Sequence, residues 1–224
     1  MLVLAIDTST PDLIVGIVNS ETGDTVGQRI IEDTREHNEQ LTPMVQEALS
    51  DAGLTFPDLG AVVVGCGPGP FTGLRVGMVS AAAFGDALGI PVHGVCSLDA
   101  IAQGIDFDAT PHALVATDAR RREIYWATYT QGIRTDGPDV VAPGQLELDR
   151  AVDVISIPEH LGEKLPEGLG GVDKLTLKPL PANLVAVADL ATTPEALVPM
   201  YLRRPDAKEP KPKPKSPAIP EVEL

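Results

Sequence analysis

The residues best suited to chemistry lie in one run, Gly67-Pro-Gly-Pro-Phe-Thr-Gly73. Glycine and proline continue neither a strand nor a helix here, so the chain must turn. Residues 61–64, β-branched and apolar between glycines, predict a buried strand just before the turn. A helix is predicted just after it, over 73–88, with Thr72 as its N-cap. A strand that turns through glycines into a helix leaves free backbone N–H groups converging on one spot, which suits an anion or a phosphate. Gly67, Gly69, Thr72 and Gly73 are therefore candidate phosphate-facing residues. Asp7 and Thr8 join them. Residues 2–6 read as a strand that Asp7 ends, opening the turn Asp7-Thr-Ser-Thr-Pro11, whose hydroxyls and N–H groups a ligand could meet. An aspartate there also bonds its own backbone in an Asx turn, and of the two readings the residues favour the turn.

Other chemistries lack their residues. No Gly-Lys-Ser/Thr follows the glycine run, so it is not a Walker A loop. Its spacing, Gly-x-Gly-x-x-x-Gly, is not the dinucleotide fingerprint either. There is no Gly-x-Ser-x-Gly elbow and no Cys-x-x-Cys. The four histidines, His37, His93, His112 and His160, are scattered, and the i+4 neighbour of His37 is Leu41 rather than a second ligand. No metal site is expected. Arg120-Arg-Arg-Glu123 reads as an anion clamp or as a solvated hairpin tip, and the acids beside it favour the tip.

The elements that position these residues follow from the pattern. Strands predicted at 2–6, 13–18 and 25–32 make an antiparallel meander. Thr42-Pro43 signals a helix start, Asn38 an earlier one, and Gly53 a stop. Leu41, Met44, Val45, Ala48, Leu49 and Ala52 form its apolar face. A strand at 90–95 and a short helix at 97–103 follow, and then the pattern restarts. A strand at 113–117, Asp118 at its end, a polar turn and a strand at 124–129 copy the opening of the chain, which suggests a duplicated α/β unit. Asp118 is thus a candidate nucleotide-facing residue alongside Asp7. The second unit is thinner: strands at 152–157 and 172–178, helices at 158–165 and 182–191. The expected division is a first lobe at 1–103, a reduced second lobe at 104–204 and a tail at 205–224. The tail alternates Pro with Lys and reads as disordered and polyproline-like.

Composition narrows the partners. The formal charge is −15, and from residue 205 onward four lysines offset four acids, so the excess negative charge lies on the body. Such a body repels a nucleic-acid backbone, and any RNA it serves is expected to be gripped by another chain. Cys66 and Cys96 each end an apolar run and are expected to be buried reduced thiols, with a disulfide or metal pair as the minor alternative. No basic n-region precedes the first apolar run, and no run approaches the roughly 20 residues that cross a bilayer, so a cytoplasmic protein is expected.

Taken in order, LAIDTST, REHNEQLTPMVQEAL, GCGPGPFTGLRVG, GVCSL, DARRREIY and PMYLR resemble the bacterial TsaB (YeaZ) family, over residues 4–203. GPGPFTGLRVG is the most specific match; the usual family form has Ser where Pro70 stands. The resemblance implies an α/β, actin-like/Hsp70-like (ASKHA) two-lobed fold with a reduced second lobe. It implies a non-catalytic scaffold and activator that works with a TsaD-like catalytic subunit and a TsaE-like ATPase. Together these transfer threonylcarbamoyl to the adenosine next to the anticodon in tRNAs reading codons that start with A. It further implies self-pairing when alone, tRNA contact only through the partner, and no cofactor of its own, with ATP and metal on the partner subunits. An older glycoprotease label does not carry over: where the catalytic paralogue has a metal-binding His-x-x-x-His, Ser97 and Ile101 stand here.

The family pairs through first-lobe helices. On that basis the expected interface is Leu41, Met44, Val45 and Ala48 with Gly73, Val76, Gly77, Ser80, Ala81 and Phe84. The alternative is that the small residues pack only on this chain's own sheet. A competing function is a small-molecule kinase or ATPase of the same superfamily, with Asp7, Asp118 and the glycine turn serving nucleotide and Mg²⁺; a metalloprotease is the least favoured reading.

Overall fold

In the computed structural model, residues 1–203 are described; the expectation for the tail from 205 onward lies outside them. Two five-stranded sheets share one plan. The first holds β1 (Leu2–Asp7), β2 (Leu13–Asn19), β3 (Thr25–Ile31), β4 (Leu59–Gly65) and β5 (Val92–Val95) in the order β3-β2-β1-β4-β5. The second holds β6 (His112–Asp118), β7 (Ile124–Thr130), β8 (Ile133–Val141), β9 (Val154–Ser156) and β10 (Asp173–Leu175) in the order β10-β9-β6-β7-β8. In each sheet the first three strands pair antiparallel and the last two add in parallel beside the first. The repeat expected from strand, Asp, turn and strand is therefore a repeat of whole topology.

Side-chain alternation decides what covers each face. On β1 and β4, Leu4, Ile6, Val62 and Val64 point to one side, against α1 (His37–Asp51) and α2 (Phe71–Leu88). Val3, Ala5, Ala61 and Val63 point to the other. There they meet Leu184 and Val185 of the short helix α5 (Pro181–Ala186). A strand buried on both sides needs a near-continuous apolar run, which is how residues 2–6 and 61–64 read. The second sheet buries Ala113, Val115 and Tyr129 under Leu98 and Ile101 of α3 (Ser97–Ala102). Its far face closes over Trp126 with Leu146 and with Leu161 of α4 (Glu159–Gly162).

The packing divides the chain differently from the expected cut after residue 103. The helix α3, from the first stretch, lies on the second sheet; α5, from the second stretch, lies on the first; the two touch each other between the sheets. Each inner sheet face needs an apolar cover, and each takes it from the other half of the sequence.

Boundaries differ in informative places. The helix α1 begins at His37, so Pro43 sits inside it, and it stops at the expected Gly53, whose φ of +67° suits glycine. Pro70, not Thr72, is the N-cap residue of α2, and its carbonyl accepts the first helical bond, from Leu74 N at 3.0 Å. The strand β8 was not expected, because Asp136, Gly137, Pro138 and Asp139 break the alternation; as an edge strand it tolerates a proline. The last two strands shrink to three residues each, and the helix expected at 182–191 to six. Among the described residues, no helix is long and apolar enough to cross a membrane.

Candidate functional site

The glycine turn and the end of β1 do come together, and the chain itself fills the space between them. Asp7 is fully buried. Its Oδ1 accepts from Ser9 N at 2.8 Å and Ser9 Oγ at 2.7 Å, and its Oδ2 accepts from Ser97 Oγ at 2.6 Å. Burial raises its pKa above the ordinary 3.8, against the lowering effect of the bonds from Ser97 and Ser9. Of the two readings of Asp7, the Asx turn is the one its bond to Ser9 N forms. A Cβ on Gly65 would overlap Asp7 Oδ2.

Thr8 is buried too and donates from Oγ1 to Gly73 O at 2.8 Å. A Cβ added to Gly69 would sit 2.5 Å from Ser9 O, one on Gly73 2.5 Å from Thr8 O, and one on Gly77 would strike Thr8 Oγ1. Gly67, with φ +101°, makes the sharp turn. These glycines admit the β1–β2 turn at close range, and the second lobe completes the lid with Tyr125 Oη 3.5 Å from Gly69 O. Thr72 faces solvent and caps nothing.

Asp118 occupies the matching position in the second sheet. Its Oδ1 accepts from Arg120 N at 2.6 Å, and His160 Nε2 stands 3.7 Å from Oδ2. The turn that follows is tight: Arg120, Arg121 and Arg122 have φ of 62°, 54° and 66°, a left-handed conformation that costs roughly 1 kcal/mol or more for each residue. Glu123 closes the tip by pairing with Arg203. Asp118 opens onto a cavity of about 520 Å³ between the lobes, shared with Thr117, Asp12, His160 and Lys178. Asp7 does not line it, so the pair expected to flank a nucleotide is not formed. Lys178 Nζ spans the cavity's rim to Asp12 at 2.9 Å and Glu32 at 2.5 Å. Burial pulls the Lys178 pKa down, but the bonds to Glu32 and Asp12 outweigh it and leave it raised.

Cys66 and Cys96 are unpaired and buried, and burial pushes both thiols up to about 11. Among the described residues, no three His, Cys, Asp or Glu side chains converge to hold a metal ion.

The expected interface needs correction. Leu41, Met44, Val45, Ala48 and Ala81 lie in the first lobe's own core, and Gly77 is buried against Thr8. Helical periodicity finds the apolar face of a helix, and that face is the one a soluble fold buries. Gly73, Val76, Ser80 and Phe84 lie half-buried along the flank of α2. What α2 turns outward is Phe71, Thr72, Arg75, Val79, Ala82, Ala83, Asp86 and Ala87, with Val79 68% exposed. A smooth, nearly uncharged helix face remains, made of residues the periodicity did not single out.

Residues 26–176 match the family model described as TsaD, tRNA N6-adenosine threonylcarbamoyltransferase. An uncharacterized protein of Mycobacterium tuberculosis is 55% identical over 206 residues, 92% of this chain and 93% of its own length. The tRNA threonylcarbamoyladenosine biosynthesis protein TsaB of Escherichia coli is 38% identical over 130 residues, 58% of this chain and 55% of that one. The solved structure of YeaZ from Pseudomonas aeruginosa superposes with a TM-score of 0.70 at 26% identity, over 83% of this chain and 89% of the other. With its doubled strand order, its match to that structure and its TsaB-named relatives, this two-lobed α/β chain belongs to the TsaB (YeaZ) family.

Proposed function

We propose that this chain serves the biosynthesis of threonylcarbamoyladenosine in tRNA as a non-catalytic subunit. It holds and activates a TsaD-like catalytic subunit, with a TsaE-like ATPase joining the complex in the cytoplasm. One observation carries this reading: the cradle that would hold phosphates is packed with Thr8 and Ser9 of the same chain. A phosphate site needs open N–H groups and room for oxygens. Here Gly69 and Gly73 already lie against the Ser9 and Thr8 carbonyls, and Asp7 is fully buried behind three hydrogen bonds. ATP and metal then belong to the partners.

The acidic body supports the same division of labour, with the tRNA gripped by the partner. The outward face of α2, poor in charge, is the surface for the catalytic subunit and, when the chain is alone, for a second copy. The kinase alternative would have to use the interlobe cavity with Asp118, across a rim already bridged by Lys178, or the cavity of about 380 Å³ lined by Thr8, Thr72, Gly73 and Arg120, and Asp7 lines neither.

Reconstitution tests the proposal. A TsaD-like subunit, a TsaE-like ATPase, tRNA, threonine, bicarbonate and ATP are combined with and without this chain. Modified tRNA is expected only when the chain is present, and the chain alone is expected neither to hydrolyse ATP nor to form product. Equal yields without it, or turnover by the isolated chain, would overturn the reading.

A further inference from the structure

The first turn of α2 carries a cluster that the core does not use. Phe71 is 45% exposed. Tyr201, from the last described stretch of chain, stacks on it with ring centroids 5.0 Å apart and 29° between the planes. Arg75, one helical turn on, lies with its guanidinium carbon 3.9 Å from the Phe71 ring centre and donates from Nε to Tyr201 Oη at 3.1 Å. Tyr201 is held in place from both sides. Met200 N donates to Cys66 O at 2.8 Å, Leu197 packs against the first core, and Arg203 pairs with Glu123. The strap is thus a fixed part of the surface.

Charge makes Arg75 informative. Of 32 Asp and Glu and 17 Lys and Arg, four and five lie beyond residue 203, leaving 28 acids against 12 bases on the described body. Among the described residues, none of those acids pairs with Arg75, whose partners are the Phe71 ring and the Tyr201 hydroxyl. Beyond it the exposed face runs on through Val79, Ala82 and Ala83 before α2 reaches its one acid, Asp86. An arginine held over one aromatic ring and bonded to the hydroxyl of a second, at the head of an apolar strip, has the composition of a binding hot spot.

We infer that Phe71, Arg75 and Tyr201 anchor the docking surface, and that its occupant is a folded protein chain presenting an apolar helix face with an Asp or Glu carboxylate against Arg75. The inference rests on the proposed function, which makes that chain the TsaD-like subunit. The terminal nitrogens of Arg75 are the ones left for a carboxylate, since Nε is engaged by Tyr201. A nucleic-acid backbone fits the strip poorly, because it needs cations repeated along its track and α2 offers none after Arg75.

The test is calorimetric titration of the full chain with the TsaD-like subunit at low and high salt. Arg75→Glu is expected to weaken binding about 100-fold and Tyr201→Ala about tenfold, while Tyr201→Phe, which keeps the stack, costs only a few-fold. Both positions are at the surface, so circular dichroism and melting temperature should not move. Val79→Asp, away from the strap, is expected to weaken binding as well and guards against a loosened strap in Tyr201→Ala. If the unaltered chain binds and Arg75→Glu binds equally well, the inference falls and the proposed function stands. If Arg75→Glu keeps its affinity for protein but the complex loses tRNA, the anchor reads phosphate and the inference falls. If the unaltered chain does not bind the subunit, both fall.

Discussion

Asp7 and Asp118 end the first strand of two sheets with the same strand order, and each accepts a hydrogen bond from the backbone N–H two residues on. Their surroundings then part. Around Asp7 the first lobe supplies α1, the 18-residue α2 and a run of glycines that lets the turn sink to full burial. Around Asp118 the second lobe has only the four-residue α4 between its last two strands, and the side chain stays 19% exposed beside a cavity. The lesson is that an inherited turn does not carry its role with it. Depth, set by what packs on the turn, decides whether a carboxylate holds the fold together or faces a ligand.

Several substitutions would break or sharpen this contrast. The largest effect is expected from Gly65→Ala, whose methyl group would displace the Asp7 carboxylate; a loss of about 4 kcal/mol, or of soluble protein altogether, should appear in chemical denaturation. Its second-lobe control is Gly168→Ala, where nothing lies within 4 Å and the change should stay within about 0.5 kcal/mol. Next comes Asp7→Ala, which strands the three buried donors of Ser9 and Ser97 at a cost of about 3 kcal/mol; Asp118→Ala should cost less than about 1 kcal/mol by the same measurement. A similar loss in both would erase the distinction between the turns.

A pH series isolates the buried carboxyl further. Because burial raises the Asp7 pKa, the folded chain holds that proton more tightly than the unfolded one, whose value is near 3.8. Its contribution is therefore fullest below that pH and is lost as pH rises through the folded value. Asp7→Asn should remove this component from the slope of stability against pH, and an unchanged slope would count against it. The smallest effect is expected from Lys178→Met: partly exposed ion pairs to Asp12 and Glu32 contribute about 1 kcal/mol or less, and the difference from the unaltered chain should vanish at high salt.

The first lobe was easier to read from the residues than the second, for a physical reason. Strands buried on both faces leave unbroken apolar runs, as at 2–6 and 61–64, and glycines mark helix ends, as at Gly53 and Gly89. The edge strand β8 is half in water and carries Asp, Gly and Pro, so nothing in its letters distinguishes it from a loop. The proposed docking face eluded periodicity for the opposite reason. Leu41, Met44 and Val45 stand out because they repeat with the helix, and that repetition draws them into the core. Phe71, Arg75 and Tyr201 come together only because residues 126 positions apart meet in the fold. The glycines of the turn, expected to face a phosphate, instead admit Thr8 and Ser9 of the same chain at close range.

The exchange of α3 and α5 has a practical consequence for anyone who cuts this protein. A fragment ending near residue 103 would keep a short helix with no bed to lie on and leave bare the sheet face that Leu184 and Val185 cover. The complementary fragment would carry the mirror of that defect. The halves are laced together like two shoes sharing one string, so neither should survive as a separate cassette. Mixed expression of the two fragments should recover soluble protein where each alone precipitates.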